Sequence, residues 1–214
     1  MFFQKVLKGI NGLSRKDADS ALIAGIHCNW WRRVGSISPL EIVEKLTDRN
    51  LDWHLNHYDE PDPEMNNQPF YESTPFISTT AGTVERQDFL RRNIVFDPLL
   101  TALQFATRDF TKRGYVFYAY VFTLGRQSLP LAEFAEEIRE LNVYKNFLPF
   151  HQEGEVTAKI EVRGPQIEKW EAYDGPAVLA SLRGGKAPKA TATRRNRRYA
   201  PPEQFCNIRG LVTE

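Results

Sequence analysis

Cysteine is nearly absent from the 214 residues: Cys28 and Cys206 stand at opposite ends, with no framework for disulfides and no metal-ligand spacing. That scarcity fits a reducing compartment, so the expectation is a cytoplasmic protein without a metal centre. Neither thiol is a strong candidate nucleophile. Long hydrophobic runs are missing too. The longest, Tyr115 to Phe122, falls far short of the roughly 20 apolar residues of a membrane-spanning helix. The N-terminus lacks the apolar stretch of a cleavable signal, so a soluble chain with no membrane partner is expected. No sign of charge dominates, since 28 Lys and Arg stand against 27 Asp and Glu for a net +1. Bulk charge therefore makes no case for a polyanionic partner. No internal repeat is visible.

What is present belongs to a globular protein: 42% hydrophobic, 12% aromatic and 26% charged residues. This length buries one good core, which should be unusually aromatic. One domain over residues 1–182 is expected, followed by a basic tail over 183–214. Between Arg183 and Arg198 lie seven basic residues and no acidic one: Arg183, Lys186, Lys189, Arg194, Arg195, Arg197 and Arg198. The Gly, Ala, Pro and Thr among them predict a segment that is mobile or folds on a partner.

Ser38-Pro39-Leu40-Glu41 is a capping box with proline at the first helical position, predicting a helix from Pro39 to about Leu46. Ser14 and Asp17 start an earlier one over Arg15 to Ala24. Between them, Ile26 to Val34 reads as a strand that carries Trp30, Trp31, Arg32 and Arg33. Asn56 to Ser73 is a long proline-rich loop, of the sort that serves a site more often than a core. Thr74 to Thr80 reads as a strand. Asp97-Pro98 opens a helix with Leu99, Leu103, Ala106 and Phe110 on one face, ended by Gly114. Tyr115 to Thr123 has the content of a central strand buried on both sides. Pro130 opens another helix through Leu141, and Val156 to Val162 alternates as a strand stopped by Gly164-Pro165. Strands and helices mix without regular βαβ alternation, which predicts an α+β fold.

Glu153 and Glu155 stand on the same side at the start of that last strand, about 7 Å apart by the ~3.4 Å rise per residue. One ionised carboxylate can stabilise positive charge developing on a sugar while its neighbour takes a proton from the incoming nucleophile. The string from Phe147-Leu148-Pro149-Phe150 through Glu153-Gly154-Glu155-Val156 to Gly164-Pro165-Gln166-Ile167 and Trp170 resembles the closing part of the mono-ADP-ribosyltransferases of the arginine, serine-threonine and paired-glutamate class. Phe76-Ile77-Ser78-Thr79-Thr80 is similar to the family's serine-threonine segment, and Arg32 or Arg33 to its first-strand arginine.

The resemblance covers roughly residues 26 to 170 and implies a split, mostly antiparallel β core flanked by helices. It implies NAD as a substrate. Glu155 would be the catalytic glutamate on the nicotinamide ribose, Ser78 the hydroxyl that orients it, and Glu153 the residue facing the acceptor. Ser78, Thr79, Thr80 and one of Arg32 and Arg33 would line the NAD site; a guanidinium fork suits a pyrophosphate. His27 is a further candidate there, because another branch of the family uses a histidine on that strand. Phe147, Phe150, His151 and Gln152 would contact the acceptor.

Glutamate at position 153 points to a guanidinium acceptor in the family's pattern, whereas the basic tail, with Tyr199 and Trp170 for stacking, points to RNA or DNA. The implied activity is transfer of ADP-ribose from NAD to a protein arginine or a nucleic-acid base, in a toxin-like or effector-like enzyme held by an antitoxin. The alternatives are an NAD glycohydrolase, with water as acceptor, and a non-enzymatic nucleic-acid-binding module.

Overall fold

The computed structural model describes residues 1–81, 86–87, 93–94, 97–124, 126–138 and 154–206. Strand β1 (Phe2–Asn11) opens the chain, followed by helix α1 (Arg15–Ala24), the short strand β2 (Ile26–His27) and helices α2 (Asn29–Val34), α3 (Pro39–Lys45) and α4 (Asp48–Asn56). Short strands β3 (Pro61–Asp62) and β4 (Gln68–Pro69) pair within the next loop, before β5 (Phe76–Ala81). Then come the paired β6 (Arg86–Gln87) and β7 (Asn93–Ile94), helix α5 (Pro98–Ala106) and the long strand β8 (Arg113–Thr123). The last third supplies β9 (Glu155–Lys159), β10 (Glu161–Val162), β11 (Ile167–Asp174), α6 (Gly175–Arg183), β12 (Ala192–Arg195) and α7 (Glu203–Cys206).

Six strands form one sheet in the order β12-β11-β8-β1-β5-β9, antiparallel at every pairing, so the fold is α+β as expected. β10 leaves that sheet to pair with β2. The departure occurs at Ile160, whose φ of 63° a β-branched residue adopts only when its surroundings hold it. Its N–H donates to the Pro75 carbonyl and its own carbonyl accepts from Cys28 N–H, each at 2.8 Å. This corner ties the entry of β5, the exit of β9 and the start of α2 together.

β8 is the central strand, buried on both faces by alternation: Tyr115 and Phe117 join the main core with Phe76, Trp170, Leu51 and Leu22, while Val116 turns to a smaller cluster under α5 and α6. α5 meets the sheet at backbone distance. A Cβ on Gly9 of β1 would stand 2.0 Å from the Ala102 carbonyl oxygen, and one on Gly114 of β8 1.6 Å from that of Ala106. Only glycine admits that approach.

The capping boxes at Ser14 and Ser38 form as expected, and Asp97 caps α5 by accepting from Leu99 and Leu100 N–H. α5 ends at Ala106, well before Gly114, where Thr107 to Thr111 turn through positive φ at Arg108, Asp109 and Phe110. Other expectations need correction. Ile26 to Val34 is not one strand: only Ile26 and His27 find a partner, and Cys28 then caps α2, its sulfur accepting from Trp31 N–H, with Gly35 closing the helix in the left-handed region. Arg32 and Arg33 therefore lie on a helix. The helix expected from Pro130 does not form over residues 130–138. There Ala135 N–H donates to the Phe122 carbonyl, and Glu136 exchanges two backbone bonds with Thr157. The end of β8 and the open edge of β9 supply partners in place of those a helix would have given internally. Of the stretch read as a mobile tail, Ala192–Arg195 is the edge strand β12, and Asn196 Nδ2 donates to the carbonyls of Leu22, Gly164 and Ile167 at 2.8 to 2.9 Å.

Candidate active site

A cavity of about 730 Å³ opens between β1 and α5 on one side and α2 and α4 on the other, with β5 and Glu155 at its base. The register of β5 and β9 builds that base. Thr80 lies opposite Glu155 and Ser78 opposite Thr157, so the period of two puts all four side chains on one face. Thr79 points the other way, its hydroxyl donating to the Val156 carbonyl.

α4 lowers His54 onto this base, beside the buried Leu51 and Leu55. His54 Nδ1 bonds the Thr74 hydroxyl at 2.9 Å, and Nε2 bonds Ser78 Oγ at 2.9 Å and stands 3.7 Å from Glu155 Oε1. The Thr157 hydroxyl donates to the same carboxylate oxygen at 2.8 Å. Thr74, His54, Ser78, Glu155 and Thr157 thus form one buried polar chain, anchored at one end by Phe76 N–H donating to Thr74 Oγ1. Burial, the largest influence on Glu155, pushes its carboxyl upward. Hydrogen bonding and charge from His54, then the hydroxyls of Thr157 and Ser78, outweigh it and leave the group below the ordinary glutamate range. The result is a carboxylate that is out of bulk water and still ionised.

β9 is itself held from behind. Lys159 and Glu136, both fully buried, pair at 2.6 Å; Lys159 Nζ also donates to Ser128 Oγ and the Leu131 carbonyl, and Glu136 Oε1 accepts from Ser128 N–H and Oγ at 2.9 Å. This cluster and the Glu136 to Thr157 backbone pair fix the strand that carries Glu155.

Lys8 of β1 and Arg32 of α2 bring positive charge to the cleft walls. Burial lowers the Lys8 ammonium to about 8, against the opposing pull of the Glu155 carboxylate. Cys28 also lines the cavity, but burial raises its thiol to about 11, so it is protonated near neutrality. Tyr58, on the same wall, is raised by burial first and by Asp59 and Glu155 next.

Glu155, Ser78, Thr79, Thr80, Arg32 and His27 all line the cavity. Arg33 is exposed at the end of α2 and is not among the lining residues. His27 stacks on Trp31 at 4.3 Å between ring centroids. Glu153, Phe147, Phe150, His151 and Gln152 lie outside the described residues. Trp170, taken from sequence as a stacking platform, is 1% exposed, and its Nε1–H donates to Asp19; a core ring sealed this way cannot stack a base. His54, Lys8, Thr74 and Thr157 escaped the sequence reading. The polar run Asp48 to Asn56 hides a helix whose signal is the Thr47 cap followed by Leu51, His54 and Leu55 at helical spacing. In β1 the signal was Val6, Lys8 and Ile10 alternating with their neighbours.

No family model and no curated protein matches the sequence. Among solved structures the chain is similar to EcPltA, at 12% identity and a TM-score of 0.49, covering 92% of this chain and 88% of that one. It is also similar to the catalytic domain of the mosquitocidal toxin from Bacillus sphaericus, at 15% identity and a TM-score of 0.40, covering 98% of this chain and 62% of the other. Both likenesses are distant, and the functional reading rests on the residues of the cleft.

Proposed function

We propose that this chain is an NAD-dependent ADP-ribosyltransferase that moves ADP-ribose from NAD to a macromolecular acceptor, with Glu155 as its catalytic carboxylate. The observation that carries this reading is the ionised Glu155, buried at the base of the cleft and fixed by the Thr157 hydroxyl and by His54 with Ser78. In the reaction the bond from C1′ of the nicotinamide ribose to the ring nitrogen breaks. Nicotinamide leaves with the electron pair, and positive charge spreads over the ribose. A fixed carboxylate in a site of low dielectric stabilises that charge without reorganising. The acceptor's nucleophile then bonds C1′ and gives up its proton to a base, the role we assign to Glu153.

Ser78 and His54 act through Glu155 as positioning residues. Lys8 and Arg32 supply cations for the pyrophosphate. β1 carries no arginine, so Lys8 is its cation in the cleft, a compact ammonium where the family resemblance leads one to expect a guanidinium.

The test is NAD labelled on its adenylate half, incubated with protein and cell lysate. Label retained on macromolecules supports transfer, free ADP-ribose alone means that water is the acceptor, and unconsumed NAD overturns the proposal. Glu155→Gln should abolish NAD cleavage and leave the melting temperature close to that of the wild type; surviving turnover would sink the assignment.

A further inference from the structure

Phe105 of α5 is an aromatic side chain that the packing of the core does not use. It lines the cleft, is 53% exposed and belongs to neither core cluster. Single exposed apolar residues are ordinary on an outer surface, but this one stands in a cleft. Thr101, one turn earlier on the same helical face, lines the cleft with it. Asn11, the last residue of β1, also lines the cleft, and its Nδ2 donates to the Phe105 carbonyl at 3.3 Å. A carbonyl can only accept, so this bond decides which way the amide faces: its NH₂ is turned to α5 and its Oδ1 away from it. Among the described residues no donor reaches that oxygen.

The sheet register places this pair relative to the buried carboxylate. Leu7 lies opposite Thr80 and Thr80 opposite Glu155, so the three form one row across β1, β5 and β9. Glu155 is therefore two strand spacings from β1, about 10 Å, and Asn11 lies four residues beyond Leu7 along β1, about 13 Å. Lys8 stands one residue past the row, between the two. The order along the cleft is carboxylate, ammonium, then an aromatic ring with a free amide oxygen beside it. A dinucleotide lays out the matching order: a ribose whose glycosidic bond breaks, two phosphates and, beyond a second ribose, a purine with its 6-amino group.

We propose that Phe105 and Asn11 form the adenine subsite of the cleft, Phe105 stacking on the purine and Asn11 Oδ1 accepting from its 6-amino group. The inference rests on the NAD reading above for the ligand that joins this subsite to Glu155. Stacking alone would accept any base, because every base has a π-face. The amide oxygen supplies the choice. Adenine presents a donor at position 6, whereas hypoxanthine presents a carbonyl there, and two acceptors facing each other form no bond. Turning the amide over to suit the carbonyl would set Oδ1 against the Phe105 carbonyl and lose the bond that holds it.

Binding can be tested apart from chemistry, by calorimetric titration of the wild type, Phe105→Ala and Phe105→Trp with ADP-ribose, AMP, IMP and nicotinamide mononucleotide. Phe105→Ala should weaken ADP-ribose and AMP by roughly 5- to 150-fold, the range for losing one base–aromatic stack. Nicotinamide mononucleotide, which has no purine, should bind the variant as it binds the wild type, and Phe105→Trp should restore the purine ligands. KM for NAD should rise in Phe105→Ala by the same factor, with the loss falling on KM rather than kcat. On the wild type, IMP should bind roughly tenfold more weakly than AMP, the worth of one hydrogen bond. Unaltered ADP-ribose affinity in Phe105→Ala would overturn the subsite even where NAD is consumed, as would an equal loss for nicotinamide mononucleotide or a wild type that binds no purine ligand. IMP binding as tightly as AMP would remove Asn11 from it. If NAD is not consumed at all and Phe105→Ala still loses ADP-ribose, the purine subsite stands and the transferase reading falls.

Discussion

Removing the ammonium of Lys159 should unfold this protein more readily than any surface change. Its Nζ is fully buried, 2.6 Å from Glu136 and bonded to Ser128 and Leu131. Lys159→Met leaves the Glu136 carboxylate in the interior without its cation, still accepting from the Ser128 N–H and hydroxyl. Breaking one side of a buried pair costs about 3–5 kcal/mol. For a chain of this size that is a fall in Tm of roughly 10 °C. Lys159→Met/Glu136→Leu removes both charges and should recover all but about 1 kcal/mol, since apolar replacement of a buried pair is often neutral. Urea unfolding of the wild type, both single variants and the double variant gives the coupling energy directly. A single-variant loss below about 1 kcal/mol would refute the claim that this pair is a dry, closed cluster.

Three further outcomes follow from the geometry. The Michaelis constant for NAD should rise as pH passes through about 8, where Lys8 loses its proton. Because that pKa lies below the ordinary lysine value of 10.5, the native state sheds the proton before the unfolded one, so stability from this group rises between pH 8 and 10.5 while NAD affinity falls; parallel trends in NAD titrations and melts would contradict it. The acid limb of kcat should lie below the ordinary glutamate value of 4.5, since Glu155 is held low, and its depressed pKa contributes stability that is present above 4.5 and is lost as pH falls from there through the lowered value. A limb above pH 4.5 would assign catalysis to another group. Gly114→Ala places a methyl 1.6 Å from the Ala106 carbonyl oxygen and should cost about 3 kcal/mol or more by denaturant titration.

Local signals carried much of the fold. The boxes at Ser14 and Ser38, the cap at Asp97 and the two-sided apolar run of β8 each state their element within a few residues. Failures came where a distant partner decides the outcome. The segment after Pro130 has helical spacing, yet Phe122 of β8 captures its backbone at Ala135 and the vacant edge of β9 captures it at Glu136. Arg194 and Arg195 read as tail because nothing local to them announces β11 as a partner. At the site, Ser78 and Glu155 were legible because resemblance concentrates on strands with unusual interior polarity. His54 was not, since its meaning comes from a contact 24 residues away with Ser78.

The backbone contact of α5 with Gly9 and Gly114 has a mechanical consequence. Thr101, Ala102 and Phe105 of that helix line the cleft, and at Gly9 and Gly114 its backbone meets the strands with no side chain between, so at those two points it has no room to settle inward. The wall made by β1 and α5 therefore behaves as an anvil. Any tightening of the cleft around a ligand would then fall more to the opposite wall, where α4 and the loop beyond it carry His54, Tyr58 and Asp59.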